Sequence, residues 1–383
     1  MLPIFLAVGA LALVAWLSVA LRPGRSWSMT PVAEDEPAPP DLPAWPAVRI
    51  LVPARNESGP LPRTLPALTA QDYPGDWTIV LVDDRSADGT ASLARRLGGP
   101  RTRVIPGKPL PDGWIGKVWA LEQGLEGATE PYVLLTDADI LHAPGSLRRL
   151  VAESERDGLA LNSRMARLRC ESAAERLLIP PFVWFFSLLY PMRRTHEPGR
   201  AAAAGGCVLL RREALQKAGG FGSIRGEIID DVQLARRVRD AGGSLRLSLC
   251  RSDVRSLREY ETVGPIWTMV RRTAFAELRR SWLRVAGALA SMLLLFAVPP
   301  LLLAAGAGLA VIDRRFLAVA ALGLLTWTVM AGLYRPAPRF FGLSGVRAWT
   351  LPLAGLLYGL MTLDSALRGG RSDWRQATGV LFF

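Results

Sequence analysis

Hydrophobic residues lie in long runs at the two ends of this chain. One uncharged run covers residues 2–21, and three apolar segments cover about 285–312, 316–334 and 348–363. A helix needs about 20 consecutive apolar residues to cross a bilayer. The first run and the next two segments are therefore predicted to span a membrane. The last segment is shorter and contains Pro352, so we expect it to be re-entrant or interfacial.

Between the two ends, short apolar runs alternate with helical patterns, which favours a mainly parallel, doubly wound α/β sheet flanked by helices. Strands are predicted at 48–52, 77–82, 103–105, 132–136 and 245–249. Helices are predicted at 60–70, 91–97, 117–125, 144–156, 211–218 and 228–238. Sheets of this kind bind ligands at the carboxyl ends of their strands.

Changes in composition divide the chain into five regions. We predict a membrane anchor at 1–22, a linker rich in proline and acid at 23–47, a globular domain at 48–261, a basic amphipathic interfacial segment at 262–284, and a membrane region with a short basic tail at 285–383. The linker composition cannot form a core and predicts an extended tether. A cleaved signal peptide is the alternative for the first region, but a basic n-region is missing before the apolar run.

The apolar, aromatic stretch at 171–190 has two open interpretations. It contains Pro180 and Pro181, and it is short for a confident membrane span. A helix lying in the membrane interface is one interpretation, and a buried core helix is the other.

The formal charge of +12 comes almost entirely from arginine. It indicates an anionic membrane surface or anionic substrates, and the chain has no nucleic-acid-binding motif. Arg22 and Arg25 follow the first apolar run, so the globular domain is predicted to be cytoplasmic. Arginines follow each of the last two apolar segments. Arg335, Arg339 and Arg347 follow 316–334, and Arg368, Arg371 and Arg375 follow 348–363. Both groups can be cytoplasmic only if the segment 348–363 does not cross the membrane.

Few residues suit a zinc or disulfide site. Cys170, Cys207 and Cys250 are widely spaced, and His142 and His196 are the only histidines. The cysteines fit neither a zinc pattern nor an even disulfide set. His142 follows an acidic motif by three residues, so it is a possible metal ligand or an ordinary loop histidine.

That acidic motif is Asp137-Ala138-Asp139, at the end of the predicted strand 132–136. Residues i and i+2 of a strand face the same side, so Asp137 and Asp139 can point at one ligand. Two carboxylates this close repel unless a cation lies between them. Oxygen ligands suit Mg²⁺ or Mn²⁺, and Mg²⁺ is commonly held by one or two carboxylates plus substrate phosphates. An acidic turn at a helix start is the alternative.

Further polar motifs follow other predicted strands. Pro53–Glu57 and Asp83–Thr90 end the first two strands, and Lys117 ends a Gly-x-x-Gly-Lys run that lacks Walker spacing. Gly205-Gly206 permits a close approach of a ligand or positive φ. Asp230-Asp231 opens a helix, where acids also favour the helix dipole.

With these motifs in order, the chain resembles the inverting family-2 glycosyltransferases of the GT-A fold over about residues 48–280. Within them it is most similar to the hopene-associated glycosyltransferases of bacterial hopanoid clusters. The matching stretches are Val52–Glu57, Gly113–Ala120, Leu134–Ile140, Arg167–Ser172, Ala202–Cys207 and Ile228–Asp231.

The resemblance implies a role for each matching residue. Asp231 would be the catalytic base, with Asp230 raising its basicity. Asp139 would coordinate Mg²⁺ or Mn²⁺ beside Asp137, which faces the ribose, and Gly205 and Gly206 would line the acceptor side. The residues that would bind the nucleotide-sugar donor are Pro53, Ala54, Arg55, Glu57, Asp83 or Asp84, Lys117, Asp137 and Arg272.

One departure from the family pattern bears on the product. Many processive members carry Gln-x-x-Arg-Trp after the base, whereas this chain has Met269-Val270-Arg271-Arg272-Thr273. The departure argues for transfer of a single sugar. The resemblance therefore implies a membrane enzyme that transfers one sugar, with a UDP-sugar favoured as donor, to a hopanoid-related lipid. Transfer to a polyprenyl phosphate or another lipid, and an inactive scaffold that binds nucleotide sugars, are the alternatives.

Overall fold

The structure is a computed structural model that describes residues 1–369, and the predicted tail arginines Arg371 and Arg375 lie outside the described residues. The chain forms two compact units. Among the described residues, the helical unit contains 1–29, 170–191 and 260–369. The sheet unit contains residues 30–169 and 192–259. Both units are therefore assembled from separate stretches of the chain.

A seven-stranded mixed sheet is the centre of the sheet unit. Its strands follow the order β3-β2-β1-β4-β7-β6-β8. They are β1 (Val48–Ala54), β2 (Trp77–Asp83), β3 (Thr102–Pro106), β4 (Tyr132–Thr136), β6 (Leu161–Met165), β7 (Cys207–Arg211) and β8 (Leu245–Leu249). A two-stranded sheet pairs β5 (Ile140–His142) with β9 (Val254–Ser256). The predicted α/β fold with a mainly parallel sheet is confirmed.

Strand β7 departs from the parallel pattern, because it runs antiparallel to both β4 and β6. The sequence analysis predicted no strand there, since Ala201–Leu210 is a run of small apolar residues without alternation. Four residues of β7 are buried. A strand covered on both faces reads as a continuous apolar run, and periodicity cannot identify it.

Helices cover both faces of the sheet. They are α2 (Leu61–Thr69), α3 (Thr90–Leu97), α4 (Gly116–Leu125), α5 (Ser146–Arg156), α7 (Arg212–Lys217) and α8 (Asp230–Asp240). One apolar cluster joins β1 and β2 to α2 and α5, and a second joins them to α4 and α8. Alternate residues of β1 enter the two clusters: Ile50 the first, Leu51 the second. This is the period-two burial expected of a central strand.

The proline-rich segment at 30–47 differs from the extended tether that we predicted. Val32 is buried and pairs with Leu249 at the edge of the sheet. The carboxylate of Glu34 accepts the backbone N–H groups of Arg251, Ser252 and Asp253. Specific polar contacts therefore hold a segment whose composition gave it no apolar core of its own.

The helical unit contains the remaining helices. They are α1 (Leu2–Ala20), α6 (Ala173–Leu189), α9 (Val263–Glu277), α10 (Trp282–Met292), α11 (Val298–Leu309), α12 (Leu317–Tyr334), α13 (Pro336–Phe340) and α14 (Leu351–Leu367). A π-helical turn, Leu293–Ala297, joins α10 and α11 into one continuous helix. Within the described part of the chain, five helical stretches are long and apolar enough to cross a membrane: Leu2–Ala20, Ala173–Arg194, Trp282–Leu309, Arg314–Phe340 and Gly345–Leu367.

Two predicted segments are interrupted. Within the basic segment 262–284, α9 ends at Glu277, and Arg279 and Arg280 have positive φ before α10 begins at Trp282. The globular domain is not continuous over 48–261, because 170–191 belongs to the helical unit. Helix α6 runs through Pro180 and Pro181 without a break.

Candidate active site

The carboxyl ends of β1 and β2 lie side by side at one edge of the sheet. Ala54 pairs with Asp83 in parallel register, and the N–H of Asp84 donates to the Ala54 carbonyl at 2.8 Å. Arg55 Nη1 lies 3.4 Å from Asp84 Oδ2. Asp83 is buried, and its Oδ1 has no hydrogen-bond partner among residues 1–369. The structure thus brings the first two predicted donor-binding motifs together.

Asp137 and Asp139 lie in the turn between β4 and β5 and not within a strand, as the i, i+2 argument assumed. The N–H of Ile140 donates to the Asp137 carbonyl at 3.1 Å, which closes the turn. Ala138 is in the core, where Thr64 Oγ1 donates to its carbonyl at 2.7 Å. The buried alanine anchors the turn between the two carboxylates.

Lys117, in the first turn of α4, connects two acidic motifs. Its Nζ lies 2.8 Å from Asp137 Oδ1 and 3.9 Å from Asp230 Oδ2. Burial alone would lower the pKa of Lys117, but Asp137 and Asp230 outweigh burial and raise the pKa above its ordinary value. The lysine is therefore a fixed cation between carboxylates.

Asp230 and Asp231 begin α8, and both are buried. Asp231 Oδ2 accepts the N–H of Gly205 at 2.8 Å, and its Oδ1 accepts the N–H of Val232 at 2.7 Å. Burial and then the charge of Asp230 raise the pKa of Asp231 to about 7, against the opposing effect of Lys117. Asp231 is thus a fixed carboxylate that exchanges a proton near neutral pH, which suits a general base.

Gly205 and Gly206 directly precede β7 and bring the backbone close to this site. Neither residue has positive φ. Gly205 supplies the N–H that holds Asp231. The Gly206 carbonyl accepts from Thr136 Oγ1 at 3.0 Å, and an added Cβ would lie 3.1 Å from Ile140 Cδ1. The structure therefore shows Gly206 packed closely against Ile140, and the approach of a ligand to the glycines stays a prediction.

Arg258 was missed by the sequence analysis, although it lies at the centre of the site. Its Nη2 lies 2.8 Å from Glu57 Oε1, and its Nε lies 3.3 Å from Asp139 Oδ2. Ser256 Oγ also donates to Asp139 Oδ2 at 2.8 Å. Ser256 is the last residue of β9 and Arg258 follows it, where no motif marks either residue. An arginine among many arginines carries no signal in the sequence alone.

Glu57 belongs to the same cluster. Burial raises its pKa to about 7; Arg258 opposes this rise, and Asp139 and Asp137 add to it. Burial likewise raises the pKa of Asp137 to about 6, against Lys117 and with Asp139. Five carboxylates therefore share two cationic side chains, and the excess of negative charge favours a further cation. The five are Glu57, Asp137, Asp139, Asp230 and Asp231.

The donor set fits a divalent metal ion at Asp137 and Asp139. Asp137 Oδ2 is buried and accepts no hydrogen bond from any described residue. Within residues 1–369, no group of three or more acidic, histidine or cysteine side chains forms a complete metal cage. Two carboxylates with an unsatisfied oxygen, completed by substrate phosphates, are the ligand set typical of Mg²⁺.

His142 does not fit a metal-ligand role and is not on a loop, because it belongs to β5. Its Nε2 is 2.8 Å from Thr136 Oγ1, and its Nδ1 is 3.1 Å from Ser146 Oγ. Burial lowers its pKa to about 4, so the ring is neutral. Both nitrogens are engaged in supporting the turn.

Arg272 lies on α9 in the helical unit. Its contact with a diphosphate stays a prediction, whereas the other candidate residues all belong to the sheet unit.

The chain is similar to known glycosyltransferases. Residues 49–219 match the model of the family described as Glycosyl transferase family 2. An N-acetylglucosaminyltransferase of Mesorhizobium japonicum is 28% identical over 186 residues, which cover 46% of this chain and 42% of that protein. An undecaprenyl-phosphate 4-deoxy-4-formamido-L-arabinose transferase of Pseudomonas fluorescens is 30% identical over 168 residues, 42% of this chain and 45% of that protein. The chain thus spans less than half the length of these relatives.

A solved structure shares the fold over nearly the whole length. The mannosyltransferase PcManGT from Pyrobaculum calidifontis, in complex with GDP-Man and Mn²⁺, superposes with a TM-score of 0.51 at 18% identity and covers 95% of each chain. At this identity the likeness shows the fold alone. Residues 49–219 of the chain are therefore similar to the glycosyltransferase family 2 domain, and the chain has a fold of the GT-A class.

Proposed function

We propose that the protein is a membrane-bound, inverting glycosyltransferase that transfers one sugar from a nucleotide-diphosphate sugar to a lipid. The observation that carries this proposal is the position of Asp231. Its carboxylate is fixed by Gly205 and Val232, its pKa is raised to about 7, and Lys117 connects it through Asp230 to Asp137. The proton acceptor and the acidic site for the nucleotide-sugar donor thus lie in one cluster, as a direct displacement requires.

The donor would lie across the ends of β1, β2 and β4. The unpartnered oxygen of the Asp83 carboxylate can accept from a base N–H or a ribose hydroxyl. Arg55, Asp84 and the loop from Pro53 to Glu57 would form the rest of the nucleotide site. Asp137 would face the ribose.

Asp139, with Asp137 beside it, would hold Mg²⁺ or Mn²⁺. Such an ion, when bound, stabilises the negative charge that develops on the departing nucleoside diphosphate. Arg258 holds Asp139 and Glu57 in place, and Lys117 holds Asp137. These two cations position the carboxylates toward the diphosphate.

Asp231 would take the proton of the acceptor hydroxyl as that oxygen bonds to the anomeric carbon. The bond from the anomeric carbon to the diphosphate oxygen breaks in the same step, and its electron pair leaves with the nucleoside diphosphate. A single displacement inverts the configuration at the anomeric carbon. Asp230 keeps the pKa of Asp231 high enough for this role.

A hopanoid-related lipid is the acceptor that we propose, on the strength of the subfamily motifs. A polyprenyl phosphate is the second candidate. The 30% identity with the Pseudomonas fluorescens undecaprenyl-phosphate transferase favours this second acceptor. Both acceptors are amphiphiles, which agrees with five helices able to cross a membrane. The bacterial inner membrane, with the sheet unit on the cytoplasmic side and arginines facing anionic lipid, is the location that we propose.

The test of catalysis uses the full-length protein purified in detergent with UDP-, GDP- and dTDP-sugars. We expect release of nucleoside diphosphate that stops with EDTA and returns with Mn²⁺. Asp139→Ala and Asp231→Asn should each lower turnover at least 100-fold. Asp72→Asn removes an exposed carboxylate paired with Arg148 and is the matched control. Unchanged turnover in Asp231→Asn would refute the assigned base.

The acceptor needs a separate measurement. Radiolabelled sugar should appear in a hopanoid-related lipid when such lipids are supplied, and in a polyprenyl phosphate if the second candidate is correct. Nucleotide-sugar binding without transfer to either lipid class would support the inactive scaffold instead.

A further inference from the structure

We propose that only three of the five apolar helices cross the bilayer: Leu2–Ala20, Trp282–Leu309 and Arg314–Phe340. The other two, α6 and the segment Gly345–Leu367, would enter the membrane and leave on the same side. Helix length and composition alone allow all five to cross. The contacts within the helical unit distinguish them.

The helix Trp282–Leu309 is used to measure how deep its neighbouring residues lie in the bilayer. Its 28 residues extend about 42 Å at 1.5 Å per residue, whereas the hydrocarbon core is about 30 Å thick. About one third of this long helix therefore protrudes from the core. Since Arg284 lies near its beginning and its last residues are apolar, the protruding part is the N-terminal third.

Helices α1 and α12 pack along the second half of the long helix. Trp16 Nε1 donates to the Leu295 carbonyl at 3.2 Å. A methyl group at Gly306 would overlap the backbone nitrogen of Ala320. Gly9 on α1 lies against Leu302, and Gly323 on α12 lies against Leu303, so both helices run antiparallel to the long helix. In this register, α1 ends at Ala20 and α12 ends at Tyr334 close to the depth of Ser291. Arginines follow both ends directly, so this depth marks one boundary of the hydrocarbon core.

The segment Gly345–Leu367 packs along the other half. A Cβ at Gly355 would overlap the ring of Phe296, and one at Gly359 would lie 3.4 Å from Met292 Sδ. Ala366 clusters with Val285 near the beginning of the long helix. Helix α14 therefore begins inside the hydrocarbon core of the bilayer and ends outside it.

The beginning of this segment lies on the same side as its end. Gly345 lies against the Arg335 side chain, at the core boundary. The following 3₁₀ turn, Gly345–Thr350, brings Trp349 to 5.5 Å from the ring of Trp327, in the middle of α12. Residues 345–367 thus enter the bilayer and return as a hairpin.

Charge agrees with this path. Asp364 accepts from Trp267 Nε1 and from Arg368 Nε, each at 2.8 Å. Charged groups inside a bilayer are costly, and the hairpin keeps this cluster outside the core. It also places the arginines after α12 and at the end of α14 on one side, which the positive-inside rule requires.

Helix α6 is limited by its contacts within the helical unit. Tyr358, next to Gly359 on α14, donates to the Leu178 carbonyl at 2.7 Å. Trp184 of α6 lies 5.5 Å from the ring of Tyr334 and donates to the Trp27 carbonyl at 3.1 Å. Both partners are at the core boundary, where tryptophan is favoured.

Single cysteines and a membrane-impermeant maleimide test the topology in right-side-out and inside-out vesicles. Cys207 and Cys250 are fully buried, so Cys170→Ser gives the background. Ser344→Cys and Leu367→Cys should react in the same vesicle orientation as Ser92→Cys on the sheet unit. Val311→Cys, in an exposed loop, should react only in the opposite orientation.

Opposite labelling of Ser344→Cys and Leu367→Cys would show that α14 crosses the membrane and would overturn the proposal. Labelling of Val311→Cys together with Ser92→Cys would overturn the three-span arrangement. If either hairpin variant fails to accumulate, the exposed positions Arg339→Cys and Arg368→Cys give the same comparison. The result does not depend on whether the enzyme activity is confirmed.

Discussion

Lys117 and Asp137 form a buried ion pair, with Nζ 2.8 Å from Oδ1, at the point where the donor motif meets the proposed catalytic motif. The same lysine nitrogen is 3.9 Å from Asp230. One cation thus offsets the negative charge of both acidic motifs. The resemblance implies that Lys117 binds the nucleotide-sugar donor, which stays a prediction; in the structure its Nζ lies between carboxylates.

Replacing Lys117 with glutamine should impair both folding and catalysis. It leaves Asp137 and Asp230 buried without their shared cation, and breaking such a pair by removing one partner costs about 3–5 kcal/mol. Chemical unfolding of the sheet unit should show the loss, and turnover should fall at least 100-fold. Lys217→Gln removes an exposed lysine paired with Glu213 and should change stability by less than about 0.5 kcal/mol. Equal effects of the two variants would contradict a special role for Lys117.

The pH dependence of kcat/KM should report Asp231. The base acts in its deprotonated form, and its pKa is raised to about 7. The rate should therefore rise about tenfold per pH unit below 7 and level off above it. A flat profile between pH 5.5 and 8 would contradict the assignment.

Asp230→Asn tests why the pKa of Asp231 is raised. The charge of Asp230 raises the pKa of Asp231, so removing it should shift the rising limb toward lower pH. The plateau should also fall, because a weaker base accepts the proton less well. A rising limb that stays in place would show that burial alone sets the pKa.

Arg258→Gln should weaken donor binding more than it lowers kcat. The substitution removes the contacts with Glu57 and Asp139, and the pKa of Glu57 should rise further without its cation. We expect KM for the nucleotide sugar to increase about tenfold or more. Arg255→Gln, an exposed position three residues earlier, is the control. A purely structural defect would instead lower the amount of folded enzyme without changing KM.

Gly306→Val should loosen the helical unit, because its side chain would overlap the backbone of Ala320 on α12. Overpacking of this kind costs about 1–3 kcal/mol. Gly308→Val, on the same helix, meets nothing within 4 Å and should be tolerated. Thermal unfolding in detergent compares the two variants, and equal midpoints would contradict the tight α11–α12 contact.

Part of the site was readable from the sequence, because Asp137 and Asp139 follow a predicted strand. The roles of Asp231 and Gly205 were implied only by the family resemblance, and the sheet unit contains all four residues. Arg258 and Ser256 could not be found, since only the pairing of β5 with β9 brings them beside Asp139. Contacts between residues more than 100 positions apart leave no local pattern.

The sequence by itself determined the alternation of strands and helices, the acidic motifs and the apolar segments, because these follow from local periodicity and composition. Tertiary structure decided the antiparallel direction of β7, the docking of 30–47 and the continuity of α6. It also decided the partner of Lys117. Each of these depends on hydrogen bonds and packing between distant segments, whose free energy a local pattern does not contain.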